Sequence, residues 1–457
     1  MRHRKRDLPA PVKSDLSLRF TARGLTSHSG LELFRRFLGH IRFSSRLRSH
    51  LRRNDPAGDF SSVSLVRLIL AMLVVGARRL THVRHLDGDP IVLRFAGLAI
   101  LPRERTLARW LTRSTAAVRA ALLDFMGELI ADCVRPLNLR RLTLDVDGTV
   151  CSTGLQAERA LRGFNPHHRK VPSYYPITAH LAQTGHILRV RNRSGNVHDG
   201  KASLPFFRDL LAQVRDTLGK GLLEFRLDGA FFRQDVITYL QRHAEYAIKV
   251  PFYQWIGLKS LIQGRRRWKH LRPGLDAFET EIELTPWHRT LHVVIYRKKV
   301  HHNSPKNYQL DLFDPSNGHW EYAAVTTNKT LGPKALWDFM AGRGMHEKIL
   351  AELKTGYAFN TIPTLNYAAN TTWQILSVLA HNLVTSFQIA TGARQRRHNA
   401  KRSPHFVLKS ILTLRYEFFN RAGILQRPRG RATLTLAENL PTQNLFLRCV
   451  EKLAPAA

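Results

Sequence analysis

Apolar residues recur at three- and four-residue spacing over 63–80 and 105–134, which predicts helices there. The most apolar run, Leu68 to Gly76, is too short to span a bilayer and reads as a buried core helix. The stretch 103–113 opens like a recognition helix. Thr106 is a candidate cap, and Arg105, Arg109 and Arg113 repeat every four residues on one face. From Arg140 the period changes to two. RRLTLDVD, YYPITAHLA (174–182) and HILRVRN (186–192) read as strands, the last two joined by a Thr184-Gly185 hairpin turn. A helix over 201–218, a strand over 221–229, a helix over 232–243 and a strand over 245–251 follow.

Residues 252–333 break that alternation. Short β-like pieces (FETEIEL, TLHVVIYRK, YQLDLF, YAAVTTN) and a basic aromatic stretch around Trp268 suggest a separate β-rich insert. Helical pattern resumes over 333–357 and 368–390. A basic linker over 391–404 then leads into a last helical region.

The chain has 457 residues, a length that suits roughly three domains at about 150 residues each. An apolar fraction of 44% supports real cores and excludes a wholly disordered chain. Lys plus Arg number 71 against 34 Asp plus Glu, a net charge of +37 that draws polyanions. Residues 1–54 hold only Asp7, Asp15 and Glu32 against many cations and read as a phosphate-binding module. Cys133, Cys151 and Cys449 lie far apart, so neither a disulfide framework nor a structural zinc site is expected. A reducing cytoplasm suits them, and no apolar segment follows the basic N-terminus to make a signal peptide. The pairs His167-His168 and His301-His302 lack further ligands at metal spacing and read as loop histidines, and Cys151 as structural. No phosphate-binding loop is present: Gly219-Lys220-Gly221 lacks the hydroxyl and the leading glycine, so ATP dependence is not implied.

Three acids stand out by position. The first strand ends in Asp145-Val146-Asp147, the fourth in Asp228, and the helix after the insert carries Glu347. Acids at strand ends and on a nearby helix can converge at one sheet edge. Carboxylate oxygens suit Mg²⁺ or Mn²⁺. Two such ions would serve an in-line displacement at a phosphodiester. Asp145 shares a strand face with Asp147 and is an alternative ligand. Arg343, Glu347 and Lys354 fall within about 40° of one another on a helical wheel, whereas Glu352 points away. Trp268, among Arg265, Arg266, Arg267 and Lys269, is a candidate for stacking on an extruded base.

LTLDVDGTV (142–150), the run from Gly163 to Gly200, FRLDGAFF (225–232), RGMHEKILAELK (343–354) and AANTTWQILSVLAHNL (368–383) together resemble bacterial insertion-sequence transposases of the DDE type, in the group with a β-strand insertion domain. The resemblance covers roughly 63–390. It implies that Asp147 and Asp228 match the two catalytic aspartates and Glu347 the last acid. Arg343 and Lys354 match the spacing of the arginine and lysine in that signature, whose tyrosine position is Met340 here.

The fold implied is α/β: a ribonuclease-H-like core over 138–251 and 334–390, interrupted by a β-rich insertion domain over 252–333. A helical, basic DNA-binding region over 1–137 and a C-terminal helical region over 391–457 flank it. The activity implied is binding of terminal inverted repeats, metal-dependent strand cleavage and strand transfer. Two Mg²⁺ or Mn²⁺ ions would be held by Asp147, Asp228 and Glu347, and DNA by Arg343, Lys354, Arg105, Arg109 and Trp268. The partners implied are double-stranded DNA, as element ends and target, and a second copy of the chain on paired ends, beside the nucleoid and without a membrane. The rival readings are a non-catalytic DNA-binding relative and a metal-dependent nuclease that never joins.

Overall fold

The computed structural model describes residues 15–56, 58–154, 156–163, 170–197, 200–219, 221–299, 319–396 and 404–454. The histidine pairs at 167–168 and 301–302, Lys220 and the strand expected over 308–313 lie outside them. Within these residues the chain is mixed α/β, built on one nine-stranded sheet.

In spatial order that sheet runs Ile187–Arg191, Ile177–Leu181, Arg141–Gly148, Leu222–Leu227, Glu245–Lys249, Trp320–Thr327, Arg289–Lys299, Leu275–Leu284 and Lys269–Arg272. Arg141–Gly148 pairs parallel with Leu222–Leu227, which pairs parallel with Glu245–Lys249. The remaining pairings are antiparallel. Parallel strands end on the same side, so the chain positions after Val146 and after Leu227, which are in register, open onto one sheet edge. Strand Arg141–Gly148 is covered on both faces: Leu142, Leu144 and Val146 are buried on one, Thr143 and Asp145 on the other. The Thr184-Gly185 hairpin forms as expected, with Gly185 supplying a φ of 80°.

The insert is not a separate sheet. Its last strand joins the core through Val325 opposite Lys249 and Thr327 opposite Ala247, and its other described strands follow in series. The composition break at 252 marks longer, exposed-edged strands, whereas the backbone ladder continues across it.

Helix Ser62–Val75 is capped by the Ser61 hydroxyl on Ser64 N–H and ends at Gly76 in the left-handed region (φ 109°). The long helix expected over 105–134 is two, Glu104–Arg113 and Ala116–Val134. The cap is Thr115, at the start of the second, and Thr106 lies inside the first. The helix expected over 333–357 likewise breaks into Pro333–Ala341 and Gly344–Gly356. The 24-residue helix Tyr367–Ala390 is buried along most of its length and packs on the helices Ser62–Val75, Glu104–Arg113 and Ala116–Val134 and on edge strand Ile187–Arg191. Asn382 completes that edge: its amide accepts from Ile187 N–H and donates to Ile187 C=O, both at 2.8 Å.

The C-terminal region is not wholly helical. Gly423–Gln426 and Thr433–Leu436 form an antiparallel hairpin that Leu25–Thr26 extends to three strands, before helix Leu440–Lys452. Among the described residues no helix is long and apolar enough to cross a membrane.

Candidate active site

Asp147 and Asp228 sit at the common edge of the parallel pair. Each carboxylate is oriented by the next backbone amide: Gly148 N–H donates to Asp147 Oδ1 at 2.9 Å, and Gly229 N–H to Asp228 Oδ1 at 2.7 Å. Both remain partly open to solvent.

Their second oxygens face one atom. Arg343 Nη2 lies 2.7 Å from Asp147 Oδ2 and 3.5 Å from Asp228 Oδ2. Arg343 occupies the short connection between helices Pro333–Ala341 and Gly344–Gly356 and is only 8% exposed. Burial alone would push its guanidinium down. The charges of Asp147, Asp228, Asp145 and Glu347 outweigh that and hold it above its ordinary value. Arg343, expected to grip a DNA phosphate, is thus turned inward onto the acids.

Glu347 lies in the first turn of helix Gly344–Gly356 and is exposed; it acts on Arg343 through charge. Among the described residues no three His, Cys, Asp or Glu side chains are gathered closely enough to hold a metal ion. The structure therefore brings Asp147 and Asp228 together and leaves Glu347 beside them, out of the shared contact. Glu352 points elsewhere, accepting from Ile411 N–H at 2.7 Å.

The donor chemistry fits a hard divalent cation. Two carboxylate oxygens already flank one positive centre, which serves as a stand-in ion.

A buried polar cluster underlies this edge, and sequence reading missed most of it. Asp145 is no alternative ligand. It is fully buried and takes two 2.6 Å bonds from Arg226, which faces it in the parallel register. His180 Nε2 lies 3.5 Å from Asp145, and burial pushes this imidazole down to about 4. The His346 ring is 4.4 Å from that of His180, and its Nε2 is 3.1 Å from Thr178 Oγ1. Burial holds His346 well below its ordinary value. Thr178 is the cross-strand partner of Asp147, so His346 ties the Glu347 helix to the strand that pairs with the Asp147 strand. The only sequence signal for this was the two-residue spacing of Asp145 and Asp147; nothing marked His346.

The other expected residues disperse. Arg105 and Arg109 are exposed on helix Glu104–Arg113. Lys354 is half-buried. Trp268 packs edge-on against Phe278 at 4.8 Å and lies under the Arg297 guanidinium at 4.6 Å, as part of the sheet's own packing. Cys151 is buried, and its thiol is pushed up to about 12, which leaves it inert. A 310 Å³ cavity lies beside Arg343, with Lys249, Lys298, Glu321, Trp337, Arg343 and Glu347 in its wall.

A family model described as transposase DDE domain, group 1, matches residues 9–457. Among solved structures, the cryo-EM structure of the piggyBac transposase synaptic complex with hairpin DNA aligns over 88% of this chain and 83% of its own. The TM-score is 0.42 and the identity 10%. No curated protein matches the sequence.

Proposed function

The chain belongs to the transposase DDE domain family, group 1, whose members are DNA-cleaving and DNA-transferring enzymes, and from that premise we propose that it binds the inverted-repeat ends of a mobile element, cuts them and joins them to target DNA, with Asp147, Asp228 and Glu347 as metal ligands. The observation that supports this most is the facing of Asp147 and Asp228 onto a single cationic centre at the edge of two parallel strands. The core, in this reading, is ribonuclease-H-like, over 138–251 and 334–390. Strands 252–333 widen its sheet. Region 1–137 binds the element ends, and the active assembly is a dimer on paired ends.

Two Mg²⁺ or Mn²⁺ ions held there would activate the attacking oxygen and stabilise the leaving 3′ oxygen. The chain's own residues do the rest. Gly148 N–H and Gly229 N–H fix the aspartate rotamers so that both outer oxygens face the same point. Glu347, in the first turn of helix Gly344–Gly356, is the third acid of this reading. Arg105 and Arg109, with the general positive charge, hold backbone phosphates, and each phosphate neutralised releases counterions. Water is the nucleophile in cleavage, and the freed 3′ hydroxyl in joining; both displacements are in-line and use the same edge.

The test is Asp147→Asn. Binding to element-end DNA survives and Mg²⁺-dependent cleavage is lost; equal cleavage by the variant would overturn the assignment.

A further inference from the structure

We propose that Arg343 is an exchangeable counter-ion: in the DNA-free protein its guanidinium takes the place of the metal between Asp147 and Asp228, and a DNA phosphate draws it out so that metal enters. The proposal rests on the reading above, that these two aspartates hold the metal.

The contrast with Arg226 carries the inference. Arg226 grips Asp145 with a two-pronged pair of 2.6 Å bonds and is wholly buried, a permanent structural ion pair. Arg343 touches the two acids through one nitrogen, at 2.7 and 3.5 Å, and its buried Nε has no hydrogen-bond partner. It is held by charge rather than by geometry. A divalent cation offers the same two oxygens twice the charge at shorter range.

Arg343 also has somewhere to go. It is flanked by Gly342 and Gly344 between two helices, and a Cβ at Gly344 would meet nothing within 4 Å. The same side chain lines the 310 Å³ cavity, whose wall carries Lys249 and Lys298 together with Glu321, 3.8 Å from Lys298, and Glu347. A phosphate lodged there would offer Arg343 a bidentate partner. The exchange keeps the acids countered by a cation: the arginine leaves for the nucleic acid as a divalent ion of twice its charge arrives. Its consequence is that metal loading, and hence cutting, depends on DNA.

Mn²⁺ binding to the full chain, read by electron paramagnetic resonance, tests this without activity. Without DNA, Arg343→Gln binds Mn²⁺ about tenfold more tightly than the natural protein, since a competing charge at contact range is gone. Arg343→Met gives the same direction. Lys348→Gln, which removes an exposed charge beside Glu347, shifts affinity less than about twofold. Element-end DNA tightens the natural protein's Mn²⁺ binding and leaves Arg343→Gln nearly unchanged. The exchange is overturned if Arg343→Gln binds no tighter, if Lys348→Gln matches it, or if DNA tightens both proteins equally. Asp147→Asn with Asp228→Asn in the Arg343→Gln background separates the two claims. Loss of binding there upholds the metal ligands whatever the outcome for Arg343, and retained binding overturns the ligands themselves.

Discussion

Asp145 and Arg226 face each other across the parallel pair of strands, carboxylate to guanidinium, two residues before Asp147 and Asp228 respectively. Removing one partner leaves the other charged and buried. Asp145→Asn is expected to cost about 3–5 kcal/mol of unfolding free energy in urea titrations. The double replacement Asp145→Leu with Arg226→Met should recover most of that loss. A single-variant cost below about 1 kcal/mol would mean that the pair is not a structural element of this edge.

The two glutamates of the Gly344–Gly356 helix separate by role. Glu347→Gln should abolish Mg²⁺-dependent cleavage and change stability by less than about 0.5 kcal/mol, because the side chain is exposed. Glu352→Gln should keep cleavage and lose about 1–3 kcal/mol, because Ile411 N–H loses a charged acceptor. Cleavage and urea unfolding on both variants check this; the reverse pattern would move the ligand to Glu352.

Acid should destabilise the fold through its buried histidines. His186 is buried between Thr184 and Ser386, and burial pushes it down to about 3; His180 is pushed down to about 4. Both stay neutral when folded and become charged when unfolded, near pH 6.5. The unfolded state then binds more protons, so stability is complete above about pH 6.5 and falls as pH drops toward the folded values. By pH 5 each contributes a loss of up to about 2 kcal/mol. His186→Gln should flatten the slope between pH 7 and pH 5 in urea titrations. An unchanged slope would show that this imidazole does not titrate on unfolding.

Asn382→Leu removes both bonds to Ile187 and leaves a buried N–H and C=O at the sheet edge unsatisfied. The expected cost is about 2–4 kcal/mol. Hydrogen exchange at Ile187 should rise with it; unaltered exchange would assign the edge's protection to packing alone.

The sequence made local order legible and left long-range pairing obscure. Alternation located Arg141–Gly148 and the strands after it, because side-chain period is a property of contiguous residues. Thr115 and Gly342 split two expected helices, because apolar period continues through a cap or a short break that costs it only a residue or two. The union of the insert with the core sheet depends on Val325 meeting Lys249, and no local pattern encodes which edge a distant strand selects. The C-terminal hairpin was hidden similarly, since its third strand is Leu25–Thr26. At the site, Asp147 and Asp228 were readable from strand ends. The inward turn of Arg343 was not, because helical spacing places a cation on a face without saying whether acids or water lie beyond it.

The central claim is that Asp147 and Asp228 grip a divalent ion beside DNA. Anomalous diffraction at the manganese edge, from crystals of the chain with element-end DNA and Mn²⁺, tests it most directly. The account predicts a manganese peak about 2.1–2.2 Å from a carboxylate oxygen of each aspartate. A peak coordinated by other side chains, with both aspartates out of reach, would contradict it.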